Sequence, residues 1–201
     1  MSDDSQFQQT WWDKNLPTRF NEFQSWVGPS TEPSKVYFRN FVKEHGYKSL
    51  LDLGCGNATE HFAYQSEYPE LEYTGVDSSE YLNKMNTSKG VKMVKSDITN
   101  VPLPDSSVDV AFSRHVLEHQ PDFKPALSEI IRLGKHVSIH IFFISPSEKD
   151  QIINYSPQEN LYHNTYVKSD IENYVNTFDS VERFEWVKIT ASETALIVYK
   201  K

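Results

Sequence analysis

The stretch Leu50-Leu51-Asp52-Leu53-Gly54-Cys55-Gly56-Asn57-Ala58 constrains this chain most: an apolar run of strand length carries a carboxylate and ends in a Gly-x-Gly turn. Two further apolar runs end in Asp77 and Asp97, at the spacing produced by alternating strands and helices. Together the three segments describe a nucleotide pocket lined with acid.

That acid discriminates among ligands. A dinucleotide places a doubly negative pyrophosphate against the glycine turn and the N-terminus of the following helix, whose exposed N–H groups attract anions. Asp52, immediately before the turn, opposes such a charge, whereas the sulfonium and ammonium of S-adenosylmethionine are attracted by it. In Gly-x-Gly-x-x-Gly the third glycine would fall at Thr59, which is bulkier and β-branched, so the tight turn-to-helix packing of dinucleotide proteins is not written here. Asp77 lies 21 residues past Gly56, where a nicotinamide-cofactor protein keeps its ribose-binding acid. Spacing alone therefore leaves an NAD-dependent oxidoreductase open.

From Lys48 onward, strands are predicted at 49–53, 72–76, 91–94, 108–112 and 137–144, and helices at 59–66, 80–87 and 125–133. This alternation implies a parallel sheet covered on both faces. Asn57, with Glu60 three residues on, reads as a capping pair that starts the helix just past the glycine turn. The tail reads as a helix at 169–178 and strands at 181–188 and 194–199. Arg132-Leu133-Gly134-Lys135-His136 makes a short link into the fifth strand.

LLDLGCGNA, YTGVDSS (73–79), VKSDI (94–98) and VDVAFSRHVLEH (108–119) resemble the motifs of class I S-adenosylmethionine-dependent methyltransferases, in particular small-molecule members with an HVLEH-like segment after strand four. The resemblance covers residues 46–145 and extends further only by topology. It implies an α/β, Rossmann-like, doubly wound seven-stranded sheet, mostly parallel, with a C-terminal antiparallel hairpin. It also implies S-adenosyl-L-methionine as cofactor. Gly54 and Gly56 would let the backbone approach its methionine part, with Cys55 between them. Asp77 would accept both ribose hydroxyls beside Ser78, and Asp97 would accept from the adenine amino group while Ile98 packs on the ring. Asp52 would orient the glycine loop or meet the ammonium through water. Ser113 and Arg114, with His115, follow strand four, whose end faces the transferred methyl group in this fold. Two departures stand out: the Pro-Gly-Gly turn usual before strand five is missing, and Ala58 replaces a third glycine.

Methyl transfer is an in-line displacement at an activated carbon, so positioning supplies much of the catalysis, and a base is needed only if the acceptor must lose a proton. His115 is the first candidate base, followed by His119, Tyr162 and His163; for each a packing or surface role stands beside the catalytic one. His115 to His119 also spells the His-x-x-Glu-His signature of inverted zinc peptidases. Pro121 is too close for the long helix such a site needs, and zinc leaves the glycine turn unexplained, so no metal is expected.

Composition narrows the partners. A formal charge of −8 and no basic stripe argue against nucleic acid. The single cysteine, the N-terminus without leader character and the absence of an apolar run long enough to span a bilayer imply a reducing, cytoplasmic setting with no membrane association. A length of 201 residues suits one core, read as a cap over 1–30 and a methyltransferase domain over 31–201. The cap carries Trp11, Trp12, Phe20, Phe23 and Trp26, enough aromatic surface either to pack on the sheet or to lid a pocket. Residues 145–168 form a long polar connection suited to binding substrate. The expected reaction is methyl transfer to oxygen or nitrogen of a small polar metabolite such as a sugar or nucleotide-sugar. The alternative from another class is a non-catalytic cofactor-binding module partnering an active subunit.

Overall fold

Short apolar runs fold residues 49–142 into five parallel strands, each hydrogen-bonded so that its neighbours share its direction. The computed structural model describes residues 4–157 and 161–201, with side chains described from Trp12 onward; the Trp11 side chain lies outside them. The elements are α1 (Asp4–Val27), α2 (Pro33–Glu44), β1 (Ser49–Leu53), α3 (Thr59–Glu67), β2 (Glu72–Asp77), α4 (Glu80–Ser88), β3 (Met93–Lys95), β4 (Val108–Arg114), α5 (Phe123–Leu133), β5 (Gly134–Phe142), β6 (Tyr155–Ser156), β7 (Leu161–Tyr162), α6 (Lys168–Val175), β8 (Val181–Lys188) and β9 (Thr194–Lys200). The main sheet has the order β3-β2-β1-β4-β5-β9-β8. β9 lies between β5 and β8 and runs against both, so the expected C-terminal hairpin completes the seven-stranded sheet.

Two-residue periodicity divides the core. On β1, Leu51 and Leu53 join Leu127, Ile130 and Ile131 of α5 and Ile171 of α6 on one face. Leu50 faces the other way, with Phe38, Phe41 and Val42 of α2 and Tyr64 of α3. The same alternation sends Asp52 to that second face, where it is 5% exposed. Order reverses between β1 and β4, and in open α/β sheets the crevice at such a switch point opens at the carboxyl ends of the strands.

Several local expectations differ from the structure. No helix was anticipated over 33–44, although Pro33 at its first turn and the spacing of Phe38, Phe41 and Val42 carry the signal. The Asn57–Glu60 capping pair does not form: Ala58 occupies the cap in a left-handed conformation, and Asn57 accepts instead from the Thr59 hydroxyl. Glu60 is drawn away by Arg39 of α2, 3.0 Å distant. The link before β5 is shorter still than expected, because α5 ends at Leu133 and β5 begins at Gly134. Two caps do form, Ser79 accepting from Leu82 N at α4 and Asp122 from Lys124 N at α5.

The Phe38 ring stacks on Phe112 of β4 with centroids 3.6 Å apart, both fully buried. Phe38→Ala should therefore cost about 3 to 5 kcal/mol of stability in urea unfolding, the range for losing a buried aromatic. A loss below roughly 1 kcal/mol would show that α2 is not part of the cooperative core.

Candidate functional site

A crevice of about 550 Å³ opens where the tips of β1, β2, β4 and β5 converge, a volume suited to a ligand of cofactor size. Its floor is the turn after β1. Gly54 and Gly56 have φ of +75° and +56°, and a Cβ on Gly54 would lie 2.6 Å from Val116. Gly56 has the Phe23 ring above it, 3.1 Å from where a Cβ would stand. Cys55 also lines the crevice.

Asp77 locks this turn to its neighbours. Its two carboxylate oxygens accept from Gly56 N and from Ser79 N, each at 3.0 Å. These donors favour the charged form, but burial outweighs them and pushes its pKa up to about 6. Ser78 beside it also lines the crevice. Asp97 uses Oδ1 for a turn with the amide and hydroxyl of Thr99 and, with Ile98, borders the same space.

A second acidic group closes the inner end. Asp52 accepts from the Tyr73 hydroxyl at 2.6 Å, yet burial drives its pKa up to about 7, with Glu60 and Asp77 adding to the rise. Glu60 is also raised by burial, against the pull of Arg39, and its Oε1 is buried without a hydrogen-bond partner among the described residues. Lys35 reaches this end as well, but its Nζ donates to the Val27 and Gly28 carbonyls, fastening the end of α1 to α2. Burial lowers its pKa, and Arg114 lowers it further. The wall is thus rich in carboxylates short of positive partners.

The outer half carries rings. His115, His119 and His163 surround Phe143, with His115 and His119 centroids 5.1 and 5.4 Å from the Phe143 ring. His119 donates from Nδ1 to the Tyr162 carbonyl at 2.6 Å, and burial lowers its pKa. Trp12, Phe23 and Trp26 of α1 line the remaining side. α1 is attached to the domain through Asp13, which accepts from the Ser79 hydroxyl, and through Phe20 against Tyr81.

Two residues expected in the site are elsewhere. Ser113 is fully buried against His140 at 2.6 Å, because alternation along β4 turns Phe112 and Arg114 toward the crevice and Ser113 away from it. Tyr162 packs its ring on Tyr155, while its neighbours Leu161 and His163 line the crevice, again by alternation. Arg114 borders the crevice, but its guanidinium is held by Glu32, Ser34 and Glu193. The zinc-like pentapeptide forms only a single 3-10 turn, Leu117–His119. Glu118 points inward, accepting from Phe143 N at 2.6 Å beside His140. Among the described residues no group of His, Cys, Asp or Glu is placed to hold a metal ion. Nor is any helix among them long and apolar enough to cross a membrane.

Sequence reasoning missed Lys35, Glu60, Phe143 and Glu193. Lys35 lies on the unanticipated α2, and Glu193, in the turn before β9, carries no local motif.

A family described as a methyltransferase domain matches residues 51–142, the segment that carries the glycine turn and the acidic side chains Asp52, Glu60, Asp77 and Asp97 of the crevice. Residues 51–142 thus match a methyltransferase domain, and the chain has the fold of S-adenosylmethionine-dependent methyltransferases. An uncharacterized methyltransferase of Schizosaccharomyces pombe is 31% identical over 127 residues, 57% of this chain and 44% of that protein. A demethylmenaquinone methyltransferase of Staphylococcus aureus is 28% identical over 131 residues, 61% of this chain and 54% of that one. The chain thus spans about half the length of the curated relatives it matches. Among solved structures, the Burkholderia thailandensis 1,6-didemethyltoxoflavin-N1-methyltransferase, with bound 1,6-didemethyltoxoflavin and S-adenosylhomocysteine, superposes with a TM-score of 0.67. It is 13% identical, and the match covers 96% of this chain and 88% of that one.

An acid whose folded pKa is raised stabilises the fold through its neutral form, present at low pH and lost as pH rises through the folded value. The ligand-free protein should therefore lose stability as pH rises from about 4, the ordinary carboxyl value, to about 7, where Asp52 ionises in the fold. Asp52→Asn, which still accepts from Tyr73, should remove on the order of 1 kcal/mol per pH unit from that slope. Thermal unfolding across this range checks it, and an unchanged slope in the variant would exclude Asp52 as its source.

Proposed function

We propose that the chain moves a methyl group from S-adenosylmethionine to an oxygen or nitrogen of a small molecule. The observation that carries this reading is the buried, partner-poor carboxylate wall beside a glycine turn. Burying an ionised carboxylate without a cation is costly, so a cationic ligand is favoured there and a pyrophosphate is opposed. The residues present fit such a donor. Asp77 can accept ribose hydroxyls on lone pairs beyond those used by Gly56 and Ser79. Asp97 and Ile98 would meet adenine, and the Gly54, Cys55 and Gly56 backbone the methionine part. Asp52 and the unpartnered Glu60 Oε1 would meet the ammonium. Bound there, the donor supplies a methyl carbon made electrophilic by its sulfonium.

The chain's own residues then position the acceptor and exclude water. Trp12, Phe23 and Trp26 cover the crevice from α1. The outer half, built of Phe143, three histidines, Gln120 and Leu161, presents aromatic ring faces, which suits a flat-faced acceptor better than a sugar.

Calorimetry tests the donor. S-adenosylhomocysteine should bind the protein, and Asp77→Ala should weaken it by about a hundredfold or more, as two charge-assisted hydrogen bonds are lost. Thermal unfolding of the variant separates this from misfolding. Equal affinity in a folded variant would remove Asp77 from its role, and tighter binding of NADH would replace the reading.

A further inference from the structure

We propose that Glu193 is a positioning residue that holds His115 as the proton acceptor for a protic methyl acceptor, an alcohol, phenol or amide-type N–H; this rests on the methyltransferase reading above. His115 follows β4 with φ of +58°, a left-handed conformation that residues bearing a Cβ adopt only where their surroundings hold them. Two contacts hold it there. Its backbone N–H donates to the Ile141 carbonyl at 2.9 Å, and its Nε2 lies 2.8 Å from Glu193 Oε1.

A carboxylate can only accept, so the neutral imidazole carries its proton on Nε2 and its lone pair on Nδ1. Among the described residues nothing hydrogen-bonds Nδ1, and the ring borders the crevice against Phe143. Glu193 is itself fixed by the Ser34 hydroxyl at 2.6 Å and by Arg114 at 3.2 Å. Although burial opposes it, these donors and His115 hold its carboxyl down at about 2, so it stays charged. Burial, foremost, keeps His115 below the usual histidine range and therefore neutral and able to accept a proton near pH 7. The charged groups facing His115 are Arg114 on its own strand, Glu118 and His119 of the 3-10 turn, and Glu193. Glu32 of α2 acts on it through Arg114.

The step balances without a further reactant. The acceptor's proton passes to His115 Nδ1, its electron pair forms the bond to the methyl carbon, and the carbon–sulfur bond breaks with its pair staying on sulfur. Glu193 offsets the imidazolium charge until the proton leaves to water. An acceptor that is already a thiolate or a tertiary amine would need no such base.

The test is nitrogen-15 NMR of the full chain with labelled histidine, the His115 signals being assigned by their loss in His115→Asn. The wild type without ligand should show the Nε2–H tautomer, and Glu193→Gln should weaken the proton affinity of His115 roughly tenfold. Methyl incorporation from labelled S-adenosylmethionine into a metabolite extract should then move its acidic limb to lower pH with a reduced plateau. A Glu193 that merely latches the hairpin would lower the plateau with the limb in place, and that result would overturn the proposal. So would an Nδ1–H tautomer in the wild type, a measurement that needs no Glu193 variant. Failure of S-adenosylhomocysteine to bind would instead overturn the methyltransferase reading, leaving the tautomer result to stand by itself.

Discussion

Burial of carboxylates around one glycine turn is the constraint on which the site depends. Asp52, Glu60 and Asp77 arrive from β1, α3 and β2, and each is raised in pKa chiefly because the fold removes it from water. Asp77 is satisfied by amides at two strand tips, which also fixes the shape of the turn. Asp52 and Glu60 are satisfied less fully, by a tyrosine hydroxyl and one arginine. The protein thus carries an unfavourable arrangement that a cationic ligand relieves, as expected where a site is held ready for its ligand.

The parts of the fold with strong local periodicity were legible in the sequence. The run Leu50 to Leu53 gave β1 residue for residue, and β8 agrees with its reading to both ends. The tips bearing Asp77 and Asp97 do border one crevice with the glycine turn, because parallel strands with alternating connections put all carboxyl ends on one edge. What failed was decided by tertiary contact. Glu60 had the spacing of a capping residue, but a buried arginine on α2 offered it a stronger partner. Ser113 and Tyr162 were placed by proximity in sequence, and the two-residue alternation of strands turned both away.

The least legible part of the site is the layer that comes from the ends of the chain. α1 adds three aromatic side chains to the crevice, and its anchor is Asp13 on the N-cap residue of α4, 66 positions away. Glu193 is 78 positions from His115 and 159 from Ser34, yet it touches both. No pattern within a helix or strand encodes such meetings. They follow from β9 entering the sheet beside β5, which carries the preceding turn to the tip of β4.

The most direct measurement is the number of protons exchanged when S-adenosylmethionine binds, read by calorimetry at pH 6.5 in buffers of different ionisation heat. Pairing of the acid wall with a cation predicts a net release of protons that fades above pH 8, where those acids are already ionised. Binding with no exchange, or with proton uptake, at pH 6.5 would contradict the account.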